Sequence, residues 1–316
     1  MQGPTILADI GATNARFAVL AGTDLGEVSV YPVAEHATPA DALRAFLTGP
    51  AADLKPRSAA LAAAGPLVDG RISMLNAGWT LDPDELARAL QLDDVRLLND
   101  FEALAWSLPE FGPSDLFALD DVPRPGRGTM AVIGPGTGFG MAAVVQDTAT
   151  EVVLVTEGGH ATLACTTARE EAIVRALREE FAHVSVERVL SGSGLEALYR
   201  AVAKVDGRDA PPREDAAIVA HALAGDCENS RETLLAFCGF LGGVAGDTAL
   251  TLGARGGVFI GGGITPRFTD FLRASEFRAR FEEKGRLRFY QQRIPTAVIM
   301  HRSPAFLGLT RLVRMT

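Results

Sequence analysis

Residues 5–20 read TILADIGATNARFAVL, and this stretch decides how the beginning of the chain is interpreted. Thr5–Ile10 is an apolar run that predicts a buried strand, and Arg16–Ala21 predicts a second strand after the glycine turn. A third strand at Glu27–Val33 makes this start an antiparallel meander. A helix follows at Pro39–Leu47, so the sequence predicts an α/β protein that is not a doubly wound dinucleotide fold.

The same order of elements returns in the middle of the chain. Thr129–Gly134 predicts an apolar strand, Pro135–Gly140 a glycine turn and Met141–Val145 another apolar strand. Thr13 in the first turn and Thr137 in the second occupy corresponding places. Two such units, one opening each half of the chain, indicate a duplicated domain.

Three further segments bear on how the chain is divided and packed. Leu119–Gly128 is rich in Pro, Gly and charge and is interpreted as a linker. Asn229–Leu252 is a long apolar segment that predicts one helix, with Gly242 and Gly243 where a neighbour packs closely. Gly256–Gly263 predicts a buried strand that ends in a glycine turn.

The composition limits the classes of protein to be considered. A chain of 316 residues with 47% apolar and 22% charged residues is typical of a globular protein of two domains. The net charge of −9 argues against a nucleic-acid or anionic-membrane partner. No signal peptide or apolar stretch of about 18 residues is recognised, and the three dispersed cysteines are expected to be reduced. We therefore expect a cytoplasmic protein.

Three glycine turns have groups that suit phosphate binding. Glycine N–H groups can crowd an anion, and hydroxyls can donate hydrogen bonds to its oxygens. The turns consist of Asp9, Gly11, Ala12, Thr13 and Asn14; of Gly136, Thr137 and Gly138; and of Gly261, Gly262 and Gly263. Each turn alone is equally well explained as a tight hairpin. None matches a Walker A or Rossmann fingerprint, which excludes the P-loop and dinucleotide interpretations.

Asn99 and Asp100 follow the predicted strand Val95–Leu98 at the point where a helix begins. A carboxylate there can accept a proton from a substrate hydroxyl, and the adjacent amide can both donate to and accept from a sugar hydroxyl. The alternative is that Asp100 only caps the helix.

Glu157-Gly158-Gly159-His160 follows another predicted strand. The two glycines bend the chain, so that Glu157 and His160 can converge on one small polar ligand. The alternative for His160 is a structural histidine; a zinc site would need more ligands than the nearby Cys165. Glu187 precedes the sequence RVLSG, and its alternative interpretation is one of 39 acidic residues without a special role.

Together these motifs resemble the bacterial glucokinases of the hexokinase–actin–Hsp70 ATPase superfamily along essentially the whole chain. The segments that carry the resemblance are DIGATNARFAV from Asp9, LLNDFEALA from Leu97, GPGTGFG from Gly134, EGGHATLA from Glu157, HVSVERVLSGSGLEALYRA from His183 and GGVFIGGGITPRF from Gly256. The resemblance implies a two-domain actin-like ATPase fold, which is a duplicated ribonuclease H-like α/β fold with an inter-domain cleft. It further implies a small domain of residues 1–110 plus 301–316, a large domain of residues 111–300, and a homodimer.

The resemblance also implies an activity and a role for each position. The activity is the ATP-dependent phosphorylation of glucose at its 6-hydroxyl, with Mg²⁺ accompanying ATP. The residues that match the glucose-binding set are Asn99, Asp100, Glu157, His160 and Glu187, with Asp100 as catalytic base. Asp9–Asn14 and Gly136–Gly138 match the two phosphate loops, and Gly261–Gly263 matches the adenosine loop. Asp9 is the carboxylate expected near the metal, through water.

Departures from the family pattern and alternative functions complete the sequence analysis. Ala12 replaces a glycine of the common GGTN loop, which requires a negative φ at this position, and Phe139 stands where Leu is common. The Cys-rich zinc motif of the related repressor/ORF/kinase group is absent, and no helix-turn-helix precedes Asp9. The alternatives are a kinase for mannose, fructose or an N-acetylated aminosugar, a nonenzymatic sugar sensor, and an actin-like filament ATPase.

Overall fold

The structure is a computed structural model that describes residues 3–74, 77–124, 127–146 and 150–315. The chain forms two compact units, Met1–Glu110 with Arg302–Thr316 and Phe111–His301. His301, which the sequence places in the small domain, belongs to the second unit. Its ring lies 6.2 Å from the ring of Phe111, at the start of that unit.

The first unit is built on a mixed sheet. Its strands are β1 (Thr5–Ile10), β2 (Asn14–Ala21), β3 (Asp24–Leu25), β4 (Ser29–Pro32), β5 (Ser58–Ala63), β6 (Leu67–Val68), β7 (Arg71–Met74), β8 (Trp79–Leu81) and β9 (Asp94–Asn99). The main sheet has the order β3-β2-β1-β5-β9, with β4 also paired to β2. β2 is antiparallel to β1, whereas β1, β5 and β9 are parallel. The parallel strands therefore end at one edge, where the turn after β1 and Asn99 both lie.

Strands β6, β7 and β8 form a separate antiparallel sheet that the sequence pattern does not predict, because each has only two to four residues. The helices of this unit are α1 (Pro39–Thr48), α2 (Pro83–Leu90) and α3 (Asp100–Ser107). Thr38 caps α1 by accepting the Asp41 N–H, and Asp82 caps α2. The core between sheet and helix contains Phe17 and Phe46, whose rings lie 5.6 Å apart.

The second unit repeats the strand arrangement of the first. Its strands are β10 (Leu116–Ala118), β11 (Met130–Pro135), β12 (Phe139–Gln146), β13 (Glu151–Thr156), β14 (Gly257–Ile260) and β15 (Thr296–Ile299). The sheet order is β10-β15-β14-β11-β12-β13, with β12 antiparallel to β11 and with β11, β14 and β15 parallel. The series β12-β11-β14-β15 corresponds to β2-β1-β5-β9, and this correspondence confirms the predicted duplication.

Helices cover the second sheet, and one helix returns to the first unit. They are α4 (Ala168–Leu177), α5 (Gly192–Asp206), α6 (Asp215–Ala224), α7 (Glu228–Leu252), α8 (Thr269–Ala274), α9 (Phe277–Glu282), α10 (Arg288–Gln291) and α11 (Pro304–Met315). α11 packs against α3 in the first unit. Gly308 permits this close approach, because a Cβ atom there would lie 1.8 Å from the carbonyl oxygen of Ala103.

Helix α7 is long and apolar enough to cross a membrane. It is nevertheless a core helix of the second unit, because 72% of its most apolar window is buried and it packs against α5, α6 and α9. The close packing predicted at Gly242 is confirmed, because a Cβ atom there would lie 2.2 Å from the Phe277 carbonyl oxygen. The same prediction for Gly243 is wrong, since its Cβ would face open space. The second close contact occurs at Gly246, which shares a helix face with Gly242.

The segment Leu119–Gly128 does not link the two units, because the boundary between them falls after Glu110. Within this segment the Asp120 carboxylate accepts the Thr296 N–H at 2.7 Å, which attaches it to β15. Residues 125 and 126 lie outside the described residues. The Pro- and Gly-rich composition therefore marks an irregular segment of the second unit.

Candidate active site

The turn after β1 is closed largely by its own backbone. The Gly11 N–H donates to the Asn14 carbonyl at 3.0 Å, and the Val33 N–H donates to the Thr13 carbonyl at 2.9 Å. Ala12 is not one of the non-glycine residues with positive φ in the described part of the chain. The alanine therefore meets the condition of a negative φ that its replacement of glycine requires.

Asp9 lies at the end of β1, beside this turn. The Arg16 Nη1 atom donates to its Oδ2 atom at 3.2 Å. Burial raises the pKa of the Asp9 carboxyl above its usual range, and the charge of Arg16 opposes this effect. Among the described residues no group of three or more His, Cys, Asp or Glu is placed to hold a metal ion. A single carboxylate beside a glycine turn fits a Mg²⁺ ion that keeps mainly non-protein oxygen ligands.

Asn99 and Asp100 are fixed at the same edge of the first sheet. The Asn99 Oδ1 atom accepts the Phe101 N–H at 2.9 Å, and its Nδ2 atom donates to the Gly65 carbonyl at 2.9 Å. The Asp100 Oδ1 atom also accepts the Phe101 N–H, at 3.0 Å. The capping role considered for Asp100 is thus shared with Asn99, which is the N-cap of α3.

The turn after β11 is held by residues that are distant in sequence. Within the turn, the Gly136 N–H donates to the Gly138 carbonyl at 2.8 Å. From outside, the Gly192 N–H donates to the Gly136 carbonyl at 2.9 Å, and the Glu187 Oε2 atom accepts the Phe139 N–H at 2.9 Å. Both ends of the turn are therefore bonded to the segment between Glu187 and the start of α5.

Glu157 and His160 lie in a short turn packed on β12. A Cβ atom on Gly159 would lie 2.1 Å from the Phe139 carbonyl oxygen, so only glycine fits there without movement of the backbone. A Cβ atom on Gly158 would lie 2.4 Å from the Met141 sulfur, and the Met141 side chain would have to move to admit it. The Glu157 Oε2 and His160 Nε2 atoms are 3.9 Å apart, and both side chains are 63% exposed. The two side chains thus converge, and His160 is not a buried core histidine.

The glycines that follow β14 lie against the end of β11. Gly262 has φ 82°, and a Cβ atom there would lie 2.3 Å from the Pro135 carbonyl oxygen. The Ile264 N–H donates to the same oxygen at 3.4 Å. Gly263 has open space around its Cβ position. The third glycine turn therefore adjoins the second one in the second unit.

The structure brings the predicted residues together in two groups, one in each unit. Asp9–Asn14 and Asn99-Asp100 share an edge of the first sheet, whereas Gly136–Gly138, Glu157–His160, Glu187 and Gly261–Gly263 adjoin one another in the second unit. The sequence analysis missed Arg16 and Gly192 as supporting residues. Ser191 could have predicted the start of a helix at Gly192, because serine is a favoured N-cap residue. In the structure Ser191 caps α5 by accepting the Gly194 N–H at 3.0 Å.

Glycine turns at corresponding strand ends of a duplicated α/β sheet are consistent with the two-domain fold of the actin-like ATPases. Residues 6–316 match the family model Glucokinase. The chain is 43% identical to a glucokinase of Paramagnetospirillum magneticum and 40% identical to one of Nitrobacter hamburgensis, with 99% of this chain and 98% of each relative covered. A solved glucokinase from an Antarctic psychrotroph has a TM-score of 0.91 and 35% identity, with both chains fully covered. The chain belongs to the glucokinase family.

Proposed function

We propose that this protein transfers the γ-phosphoryl group of ATP to the 6-hydroxyl of glucose, which yields glucose 6-phosphate and ADP for glycolysis. Membership of the glucokinase family over nearly the whole chain supports this activity. The observation that carries the proposal is the arrangement in the second unit. There Glu157, His160 and Glu187 lie on segments that also contact the phosphate turn.

We assign glucose binding to Asn99, Asp100, Glu157, His160 and Glu187. Hydrogen bonds from sugar hydroxyls to ionised carboxylates are of the stronger, charge-assisted kind and can replace the water that glucose loses on binding. The exposure of Glu157 and His160 leaves both side chains accessible to a ligand. Asn99 donates one amide hydrogen to Gly65, and its second amide hydrogen remains for a sugar oxygen.

In the proposed reaction the Asp100 carboxylate accepts the proton of the 6-hydroxyl while that oxygen attacks the γ-phosphorus in line. The bond from the γ-phosphorus to the bridging oxygen breaks, and ADP leaves with its electron pair. Backbone N–H groups of the two phosphate turns and the hydroxyls of Thr13 and Thr137 donate to the phosphate oxygens. Mg²⁺ would supply charge neutralisation on the phosphates, and Asp9 would hold it through water. The adenosine would lie against Gly261–Gly263.

The test is a coupled assay of ADP release by the purified protein with Mg²⁺-ATP. The sugars compared are glucose, mannose, fructose and N-acetylglucosamine, with a sugar-free control. Turnover that depends on glucose and exceeds that with the other sugars supports the proposal. Preferred turnover of another sugar assigns a different substrate to the same mechanism, and no sugar-dependent turnover contradicts the proposed activity.

We also propose a cytoplasmic homodimer, on the basis of the family resemblance. Size-exclusion chromatography with light scattering tests the assembly. A mass of twice one chain supports the dimer, and the mass of one chain contradicts it.

A further inference from the structure

Glu187 connects two parts of the proposed site. Its Oε2 atom accepts the Phe139 N–H at 2.9 Å, and its own N–H donates to the Gly159 carbonyl at 2.9 Å. Phe139 directly follows the phosphate turn, whereas Gly159 belongs to the segment that carries Glu157 and His160. One residue therefore ties the phosphate turn to the proposed sugar segment.

The other end of the phosphate turn is bonded to the same stretch of chain. The Ser191 hydroxyl donates to the Glu187 carbonyl at 2.8 Å, and the Gly192 N–H donates to the Gly136 carbonyl at 2.9 Å. The stretch between Glu187 and Gly192 thus holds the turn at both ends. Any displacement of the Glu187 side chain releases the end at Phe139.

The Glu187 carboxylate uses one of its two oxygens for this bond. Across the described ranges of the chain, the Oε1 atom has no hydrogen-bond partner, and the side chain is half-buried. A carboxylate has acceptor capacity on both oxygens. The Oε1 atom is therefore available for a ligand hydroxyl while Oε2 still holds the Phe139 N–H.

We propose that Glu187 is a positioning residue that couples glucose binding to the phosphate turn. This proposal rests on the proposed function, because glucose is taken as the ligand of Oε1. A sugar hydroxyl on Oε1 restrains the carboxylate and, through Oε2, the N–H groups that face the phosphates. Linkage requires the effect to be reciprocal, so that glucose strengthens nucleotide binding by the same factor as nucleotide strengthens glucose binding.

The experiment measures the affinity for the nonhydrolysable analogue AMPPNP with MgCl₂ by isothermal titration calorimetry, with and without glucose. For the wild type we expect glucose to strengthen AMPPNP binding by about 5-fold or more, the lower end of typical coupling. For Glu187→Ala we expect sugar-free AMPPNP binding to weaken about 10-fold, since a hydrogen bond to a charged group is lost. Glucose should no longer strengthen AMPPNP binding to this variant.

Two variants separate this role from that of a simple sugar ligand. In Glu187→Gln the side-chain carbonyl can still accept the Phe139 N–H, so sugar-free AMPPNP affinity should return to within about 3-fold of the wild type. Glu157→Ala is the matched control, because the Glu157 side chain has no bond to the phosphate turn among the described residues. It should weaken glucose binding and leave sugar-free AMPPNP affinity unchanged.

Gly138→Ala provides an independent test without altering Glu187. A Cβ atom on Gly138 would lie 2.5 Å from the Glu187 Oε2 atom. This atom is the end of a flexible side chain, so the carboxylate can move away and the fold should be kept. We expect a loss of sugar-free AMPPNP affinity like that of Glu187→Ala, and no further loss in the double variant.

Unchanged sugar-free AMPPNP affinity in Glu187→Ala, or an equal loss in Glu157→Ala, overturns the proposal, provided that circular dichroism shows both variants folded. This result is distinct from failure of the proposed function. A wild type that does not phosphorylate glucose contradicts the function itself, whereas normal wild-type turnover combined with these binding results rejects only the coupling through Glu187.

Discussion

The turn after β1 and the turn after β11 occupy corresponding places in the two sheets but are stabilised differently. The first is closed within its own hairpin by the bond from Gly11 to Asn14, and Asp9 is paired with Arg16 of the next strand. The second is held from outside by Gly192 and Glu187. Each turn has one internal backbone bond. The outside contact of the first turn comes from Val33, directly after β4 of the same meander, whereas those of the second come from residues that lie far along the chain, beyond β13.

The glycines around the two turns show the same difference. A Cβ atom on Gly11 would lie 3.5 Å from the Asn14 carbonyl oxygen, which is an ordinary contact. A Cβ atom on Gly159 would lie 2.1 Å from the Phe139 carbonyl oxygen, and one on Gly262 would lie 2.3 Å from that of Pro135. The first turn has space for side chains, as Ala12 illustrates, whereas the segments that carry Gly159 and Gly262 are packed against the backbone at the two ends of the second turn.

The largest effect is expected at Asp100, at the start of α3 in the first unit. Asp100→Asn keeps an acceptor for the Phe101 N–H but removes the proposed base, so kcat should fall by about 10²–10⁴-fold with a modest change in glucose KM. Steady-state kinetics check this expectation. The matched control is Asp84→Asn, which removes an exposed carboxylate from the first turn of α2. A kcat close to the wild-type value would contradict the assignment of Asp100.

Glu157→Gln in the second unit should change substrate binding rather than the chemical step. We expect the glucose KM to rise about 10–100-fold, because a charge-assisted hydrogen bond to the sugar is replaced by a weaker one. Kinetics over a wide glucose range measure this shift. Glu171→Gln, an exposed acidic residue in the first turn of α4, is the control. An unchanged KM would remove Glu157 from the sugar site.

A pair of glycine variants compares the space in the turn after β1 with that beside Gly159, where the Glu157–His160 turn packs against the start of β12. Gly159→Ala should lower the free energy of unfolding by about 1–3 kcal/mol, since backbone must move to admit the methyl group. Gly11→Ala should change it by less than about 1 kcal/mol, because the space is present. Urea denaturation followed by circular dichroism gives both values. Equal losses in the two variants would show that the turns are equally constrained.

The smallest effect concerns Asp9, whose folded-state pKa is raised by burial despite Arg16. A carboxyl with a raised folded-state pKa opposes folding when it ionises. Its cost is absent below the unfolded pKa of 3.8, grows as the pH rises from there toward the folded pKa, and is complete above the folded pKa. Asp9→Asn should therefore raise the free energy of unfolding at pH 7 by about 0.5 kcal/mol, with less gain at pH 4. Urea unfolding at the two pH values measures this difference. A less stable variant at pH 7 would mean that the pairing with Arg16 outweighs the cost of burial.

The local elements could be predicted because their signals lie in adjacent residues. β1 and β11 depend on apolar runs of adjacent residues, and the turns that follow them depend on glycine. The short sheet of β6, β7 and β8 was missed because strands of two to four residues lack a periodic pattern. The linker interpretation of Leu119–Gly128 was wrong because its composition resembles that of a loop, and its attachment through Asp120 to Thr296 is invisible in the sequence.

The sequence by itself indicated the duplicated α/β fold, since strand periodicity and glycine turns are local patterns. Its resemblance to the glucokinases implied the family and the residues proposed for the site. Only the tertiary structure decided which residues support which. In the structure the Phe139 N–H donates to Glu187, and Gly159 packs against β12. The second close contact of α7 occurs at Gly246 and not at Gly243. These choices depend on distances of a few ångströms between segments far apart in sequence. Such distances are set by the packing of whole sheets and helices, which no local pattern encodes.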